Sequence, residues 1–185
     1  MKKRGRLIYV VGSSGAGKDT LLRTLQERNR SQQFIVAKRY ITRPHDLGNE
    51  QHIELSKEEF LSRQQQGFFA LSWHAHRTHY GVNSEIEVHL AKGIDVFING
   101  SRAYITEVIE QFPDMLLVWI TVNDDVLKQR LIIRGRESLS EIESRVFRNR
   151  KLEKNRPAQC VKLDNSGTIE DTLTQLNKLL VNYDV

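Results

Sequence analysis

Short apolar runs alternate along the chain with amphipathic stretches. Leu7-Ile8-Tyr9-Val10-Val11 is continuously apolar and ends in glycine, which predicts a strand buried on both faces. From about Lys18 to Arg28 the period changes, and Leu21, Leu22 and Leu25 mark one face of a helix. Phe34 to Ala37 predicts a second strand. Ser56-Lys57-Glu58-Glu59 has capping-box spacing and opens a helix that Gly67 stops; Ser84-Glu85-Ile86-Glu87 repeats the device ahead of Gly93. Val96-Phe97-Ile98 and Met115 to Val122 read as central strands, followed by helices over Ala103 to Gln111 and Asp124 to about Ile133. Ser140-Glu141-Ile142-Glu143 opens a basic helix, Val161-Lys162-Leu163 is a last strand, and Ile169, Leu173, Leu176 and Leu180 stripe a closing helix. Strands that alternate with helices predict an α/β fold, a parallel five-stranded sheet with helices on both faces. No repeat, low-complexity tract or linker breaks the 185 residues, so one domain over 1–185 is expected.

Composition narrows the setting. A lone cysteine, Cys160, excludes an internal disulfide and a multi-thiolate zinc site and suits a reducing compartment. The apolar run after Lys2-Lys3-Arg4 is too short for a secretory h-region, and no stretch approaches the roughly 18 apolar residues of a membrane span. A cytoplasmic protein without membrane partners is expected. The net charge of +5 is uneven: Lys128 to Arg156 holds ten basic residues against four acids. That segment carries +6, so the rest of the chain sums to −1.

The most specific chemistry lies after the first strand. Gly12-Ser13-Ser14-Gly15-Ala16-Gly17-Lys18 satisfies G-x-x-x-x-G-K between a strand and a helix, the phosphate-loop pattern of P-loop NTPases. Glycines let the backbone wrap a phosphate chain, loop N–H groups and the helix dipole face the anion, and Lys18 reaches the β/γ-phosphates. The next residue is Asp19 rather than the usual magnesium-ligating Ser/Thr, and Thr20 comes one place late. Asp19 can hold Mg²⁺ through water or orient a neighbouring loop; Mg²⁺ is expected with ATP as donor. No good second acid for the metal follows a strand: Asn99 ends one, and Asp124 and Asp125 read as helix N-terminal acids.

Arg130 and Arg134 lie on a helix that breaks at Gly135 into Arg136, and Arg145, Arg148 and Arg150 follow on the next helix. A solvated basic face is one reading. Aromatic interleaving is poor, with Phe147 alone inside the segment, which disfavours nucleic acid. Beside a phosphate loop, arginines on a glycine-hinged flap over about 134–156 suggest a lid that closes on transferring phosphates.

Taken together, these features resemble the guanylate-kinase-like branch of the nucleoside monophosphate kinases over essentially the whole chain. Thr42-Arg43 and Tyr80-Gly81 match that family's acceptor-phosphate motifs, Leu55 to Phe60 its post-strand helix start, and Leu131 to Arg136 with Glu141 to Arg145 its lid. The guanine-reading positions do not match. The base-binding Glu is Leu71, the Ser/Thr after the glycine of Tyr80-Gly81 is Val82, the first acceptor tyrosine is His52, the strand acid is Asn99, and Pro44-His45-Asp46 lacks the second arginine. Losing hydrogen-bonding groups of that kind argues against GMP, since such a site discriminates by about 10⁴-fold or more. Gly-Lys-Asp, Ile-Thr-Arg-Pro, Tyr-Gly-Val and Asn-Gly-Ser-Arg instead resemble the ribose 1,5-bisphosphate phosphokinases of bacterial phosphonate breakdown.

That resemblance implies transfer of the γ-phosphoryl of ATP to the 1-phosphate of ribose 1,5-bisphosphate, giving 5-phospho-α-D-ribosyl 1-diphosphate (PRPP). It implies ATP on Gly12 to Thr20 with Arg130, catalytic cations Lys18, Arg134, Arg136 and Arg145, and an acceptor region over about 36–95 with Arg43, His52, Tyr80 and Arg102. Arg77 is a further candidate for a second phosphate. His74, His76 and His79 lack an accompanying acid or thiolate, so hydrogen bonding to an anion or a plain surface cluster outranks metal binding. The competing functions are a guanylate or other nucleoside monophosphate kinase and a guanylate-kinase-like binding module.

Overall fold

The computed structural model describes residues 3–29, 33–44, 52–75 and 77–182. Among the described residues nine strands and seven helices run in the order β1 (Leu7–Gly12), α1 (Lys18–Arg28), β2 (Phe34–Val36), β3 (Arg39–Ile41), β4 (Ile53–Glu54), α2 (Lys57–Gln65), β5 (Phe69–Ala75), β6 (Thr78–Asn83), α3 (Glu85–Ala91), β7 (Asp95–Asn99), α4 (Ile105–Gln111), β8 (Leu116–Thr121), α5 (Asp124–Arg134), α6 (Leu139–Lys154), β9 (Val161–Asp164) and α7 (Ile169–Asn182). Five strands form the expected parallel sheet in the order β2-β7-β1-β8-β9. Its central strands are continuously buried because crossover helices cover both faces: Ile8, Tyr9, Val11, Val96, Ile98, Val118 and Ile120 are all 0% exposed.

The chain divides into two compact units, one of residues up to Tyr9 with Leu22–Leu116, the other Val10–Leu21 with Leu117 onward. The first contains a feature that hydrophobic periodicity does not signal, a four-stranded sheet in the order β4-β3-β6-β5. β5 and β6 form an antiparallel hairpin, β3 adds to β6, and β4 adds to β3 in parallel. Its strands β3 and β4 are only three and two residues long, and the hairpin sequence carries three histidines and Trp73 rather than alternating aliphatic residues.

Capping explains where the helices begin. Ser56 forms the expected capping box, its Oγ accepting from Glu59 N and Glu59 Oε2 accepting from Ser56 N, an arrangement worth about 1 kcal/mol. Three expected starts are corrected. Ser84 adopts a helical conformation with no side-chain cap, and Asn83 Oδ1 instead accepts from Glu85 N at 2.7 Å. The basic helix starts before Ser140: Ser138 caps it reciprocally with Glu141. The stretch expected to be helical from Ala103 opens as a 3₁₀ turn, Arg102–Tyr104, before α4.

Candidate active site

The phosphate loop lies in the second unit, between β1 and α1. Gly15 (φ +91°) and Gly17 (φ +93°) take the left-handed conformations that side chains resist. Space makes the same demand. A Cβ on Gly15 would lie 2.9 Å from Leu127 Cδ1, and one on Gly17 would lie 2.2 Å from Asn165 Nδ2. Ala16 N donates to Ser13 O at 3.1 Å, and Lys18 Nζ donates to the carbonyls of Gly12 (2.9 Å) and Ser13 (3.1 Å), so the loop is curled around its own lysine. Ser13 is buried, Asp19 half-buried in the first turn of α1, and Ser14 and Thr20 are exposed.

Asn165, which motif reading passes over, braces this loop from the end of β9. It is 4% exposed; its Nδ2 donates to Ala16 O at 2.6 Å, while its Oδ1 accepts from Thr172 Oγ1 at 2.8 Å. Its N–H donates to Thr121 O, and its carbonyl accepts from Arg130 Nη2, both at 2.9 Å. All four polar positions are therefore engaged. Arg130 is thereby held beside Gly17, with its buried Nη1 lacking a hydrogen-bond partner among the described residues. The one sequence signal for Asn165 is a polar residue between a strand and the Thr168–Asp171 cap of α7.

Gly135 ends α5 in the left-handed conformation (φ +63°), and the arginines divide about it. Arg134 is brought to the phosphate loop, its Nη1 3.4 Å from Ser14 Oγ. Burial, then repulsion from Arg136, lowers its pKa, while Asp19 acts in the opposite sense. Arg136 lies exposed beyond the break. Arg145 is paired with Glu137, Arg150 with Asp124, and Lys128 with Glu143 at 3.3 Å, so acids of the same region offset part of the charge excess. Arg148 and Phe147 are exposed. Asp125 N donates to the cap oxygen of Asn123, consistent with Asp124 and Asp125 as helix-terminal acids.

The expected acceptor residues lie in the first unit. Cross-strand register puts Arg39, Ile41, Leu71, Trp73, Tyr80 and Val82 on one face of the four-stranded sheet. Tyr40, Ser72 and Gly81 are on the other, where Phe60 of α2 stacks on Phe69 and Gln64 Nε2 donates to Ser72 Oγ. Tyr80 stacks on Trp73 with ring centroids 5.4 Å apart and 5° between planes, and Tyr104 stacks on the same indole at 5.6 Å. Leu71 and Val82 are 1% and 0% exposed. They fill core volume where a guanine reader needs polar groups at a surface. Arg43 lines a cavity of about 420 Å³ with Thr42, Lys57, His74, Arg77 and His79, five cations or imidazoles against one acid, Glu54. Arg43 Nε is buried without a partner among the described residues, and Arg77 holds a left-handed φ of +63°. Desolvation, then His74 and Lys57, lowers the His79 pKa.

His52 does not project as an open ligand group. It is 4% exposed, and its Nε2 lies 3.0 Å from Arg43 O, placing it under the Arg43 backbone. Arg102 sits on the turn after β7, and a buried phenol fixes that turn. Tyr9 Oη accepts from Ser101 N at 2.9 Å and donates to Ser101 O at 3.3 Å. Burial raises the Tyr9 pKa and keeps the phenol protonated. A Cβ on Gly100 would meet the Tyr9 ring at 2.3 Å. His45, Asp46 and His76 lie outside the described residues.

The family model for guanylate kinase matches residues 4–183. The chain is 45% identical over 176 residues to the ribose 1,5-bisphosphate phosphokinase PhnN of Pectobacterium parmentieri, covering 95% of this chain and 93% of that one. It is 46% identical over 176 residues to the protein of the same name from Yersinia pestis, covering 95% and 91%. The chain belongs to the guanylate kinase family, in its ribose 1,5-bisphosphate phosphokinase branch. The guanylate kinase structure from Anaplasma phagocytophilum has a TM-score of 0.73 and 19% identity, covering 99% of this chain and 88% of that one. That likeness shows the guanylate-kinase-like P-loop fold. Among the described residues no helix is long and apolar enough to cross a membrane.

Proposed function

We propose that the protein transfers the γ-phosphoryl of ATP to the 1-phosphate of ribose 1,5-bisphosphate, forming PRPP and ADP. The observation that carries this reading over a nucleotide kinase is the burial of Leu71 and Val82, which leaves the positions that would read guanine without a hydrogen-bonding group. The relatives' names support it. An ordered phosphate loop with its lysine favours an enzyme over a binding module.

In this reading the loop N–H groups and Lys18 hold the β- and γ-phosphates, and Arg130 supplies a further donor beside Gly17. An oxygen of the acceptor 1-phosphate forms the new P–O bond as the β,γ-bridging bond breaks and its electron pair passes to ADP. A phosphate monoester is largely ionised at neutral pH, its second pKa being about 6, so no general base is needed. Catalysis is alignment and charge compensation. Arg134, Arg136 and Arg145, on a lid over about 134–156, provide the compensation. Arg145 exchanges its Glu137 partner for phosphate on closure. Arg43 and Tyr80 belong to an acceptor region over about 36–95, Arg102 joins them from the turn after β7, and His52 positions Arg43 from beneath.

Asp19 offers a hard oxygen donor at the head of α1, which fits Mg²⁺ held through water and phosphate oxygens. Bound there, Mg²⁺ would neutralise developing phosphate charge. ADP release measured in parallel with ribose 1,5-bisphosphate, GMP, dGMP and UMP tests the reading. Turnover is expected with the bisphosphate, and turnover of GMP in its place would overturn it.

A further inference from the structure

We propose that the cavity bounded by the end of β3, the start of α2 and the β5–β6 hairpin is a phosphate-binding site, in which Arg43, Lys57, His74, Arg77 and His79 receive a phosphate group. Phosphate binding there does not require the proposed reaction.

Charge marks this cavity out. Three cationic side chains and two imidazoles line it against a single carboxylate, that of Glu54. In the basic segment of the second unit, by contrast, Arg145, Arg150 and Lys128 each have an acid partner. Here, among the described residues, the side chains of Arg43, Lys57 and Arg77 form no hydrogen bond and no ion pair. Arg43 Nε is also buried, so it is shielded from solvent as well as unpartnered, and a buried donor in that state gains most from an incoming oxygen. The rings of His74 and His79 lie with centroids 4.6 Å apart. Burial, then His74 and Lys57, lowers the His79 pKa, which is how repulsion among these groups shows itself. An anion in their midst turns that repulsion into attraction.

The walls are fixed before any ligand arrives. Leu55 N donates to Ile41 O and Thr42 N donates to His79 O, both at 3.1 Å, while Thr42 Oγ1 accepts from His79 N at 2.9 Å. These bonds join the strand that leads to Arg43 to the hairpin on one side and to the approach of α2 on the other. Phe60 of α2 backs the His79 imidazole, with ring centroids 5.3 Å apart. A volume of about 420 Å³ lies in the range of small-ligand pockets, so the phosphate can be carried on a small organic group.

Arg77 supplies an independent sign. It lies between β5 and β6 with φ +63°, and among the described residues it alone has a positive φ without being glycine. A side chain resists that conformation, and a hairpin turn serving the fold alone is better made with Gly or Asn there. Arginine in that place costs backbone strain and keeps a guanidinium at the cavity.

NMR of the full chain at fixed pH tests the site, with ADP and Mg²⁺ saturating the phosphate loop and inorganic phosphate as the titrant. The imidazole resonances of His74 and His79 should shift saturably, while those of His89 on α3 stay in place. Arg77→Gly should weaken phosphate binding by about threefold or more, with an unfolding temperature equal to or above that of wild type, and Arg43→Met by about tenfold. If Arg77 served the turn alone, Arg77→Gly would leave phosphate affinity unchanged; that result overturns the inference, as do wild-type His74 and His79 resonances that do not respond. If Arg43→Met does not fold, as judged by circular dichroism, Arg77→Gly decides. Ribose 1,5-bisphosphate added to the phosphate-bound chain identifies the source. Displacement of phosphate assigns the site to a phosphate of the acceptor, and persistence assigns it to a separate phosphate-bearing ligand; both uphold the site. ADP release with ribose 1,5-bisphosphate, measured on the same preparation, separates the two proposals. Turnover with unresponsive histidines overturns the phosphate site alone, whereas responsive histidines without turnover overturn the proposed function alone.

Discussion

The phosphate loop and the four-stranded sheet are both suited to phosphate, and they are built in opposite ways. The loop works through backbone: its glycines take φ values of +91° and +93°, its lysine folds back on its own carbonyls, and Asn165 ties Ala16 in place. The sheet works through side chains, with Arg39 laid on Trp73 and Tyr80 and with Arg43, Arg77 and Lys57 around a cavity. Backbone geometry recognises what all nucleoside triphosphates share. Side chains on a strand face can be exchanged without disturbing the ladder, so under the proposed function the sheet is the part that can change acceptor.

The comparison makes predictions that differ in size. Lys18→Ala should reduce transfer by about 10³-fold or more with the fold intact, because the glycines and the Asn165 bond to Ala16 still shape the loop when the lysine's bonds are gone. Near-normal turnover would break the assignment of the donor site. Arg136→Ala should lower kcat by roughly 10²-fold while ATP binding, followed by titration calorimetry, changes far less. Equal loss in both would make Arg136 a ground-state binding residue. Asn165→Ala should cost about 1–3 kcal/mol in urea unfolding, since it takes the side-chain donor from the Ala16 carbonyl, and should raise the KM for ATP before that for the acceptor. An effect on the acceptor alone would contradict the bracing role.

The smallest effect concerns pH. His79 has a depressed pKa in the folded chain, so the unfolded chain binds the proton first as pH falls. Its contribution to stability is complete above the ordinary value near 6.5 and is lost as pH drops below it. Denaturation series between about pH 5 and 8 should show a shallower fall for His79→Asn than for wild type; parallel curves would remove His79 from the account.

What could be read from sequence was what is local. Gly12 to Lys18 is contiguous, and Ser56 and Glu59 are three residues apart, so spacing alone specifies the hydrogen bonds. Ser138 and Ser140 are both acceptable caps on paper, and the reciprocal bond to Glu141 decides for the earlier one. The small sheet was not legible, because β3 and β4 have three and two residues and the longer hairpin strands carry polar and aromatic side chains in place of alternating aliphatic ones. Arg39 acquires meaning only when register sets it above rings 34 and 41 positions away in sequence. Asn165 meets Ala16 across 149 residues, a relation no window along the chain contains.

That last bond also bears on how the protein ages. Asparagine side chains hydrolyse slowly to aspartate, and Asn165 precedes a small residue, Ser166, on its chain. Its amide nitrogen is the atom that would be lost, and it is the atom donating to Ala16 O. Conversion would turn an attraction into two oxygens facing each other and set a negative charge against a loop that gathers anions. Burial and four engaged polar positions keep this side chain from the backbone attack that starts the reaction. The brace that shapes the nucleotide site is thus also what preserves it over the protein's lifetime.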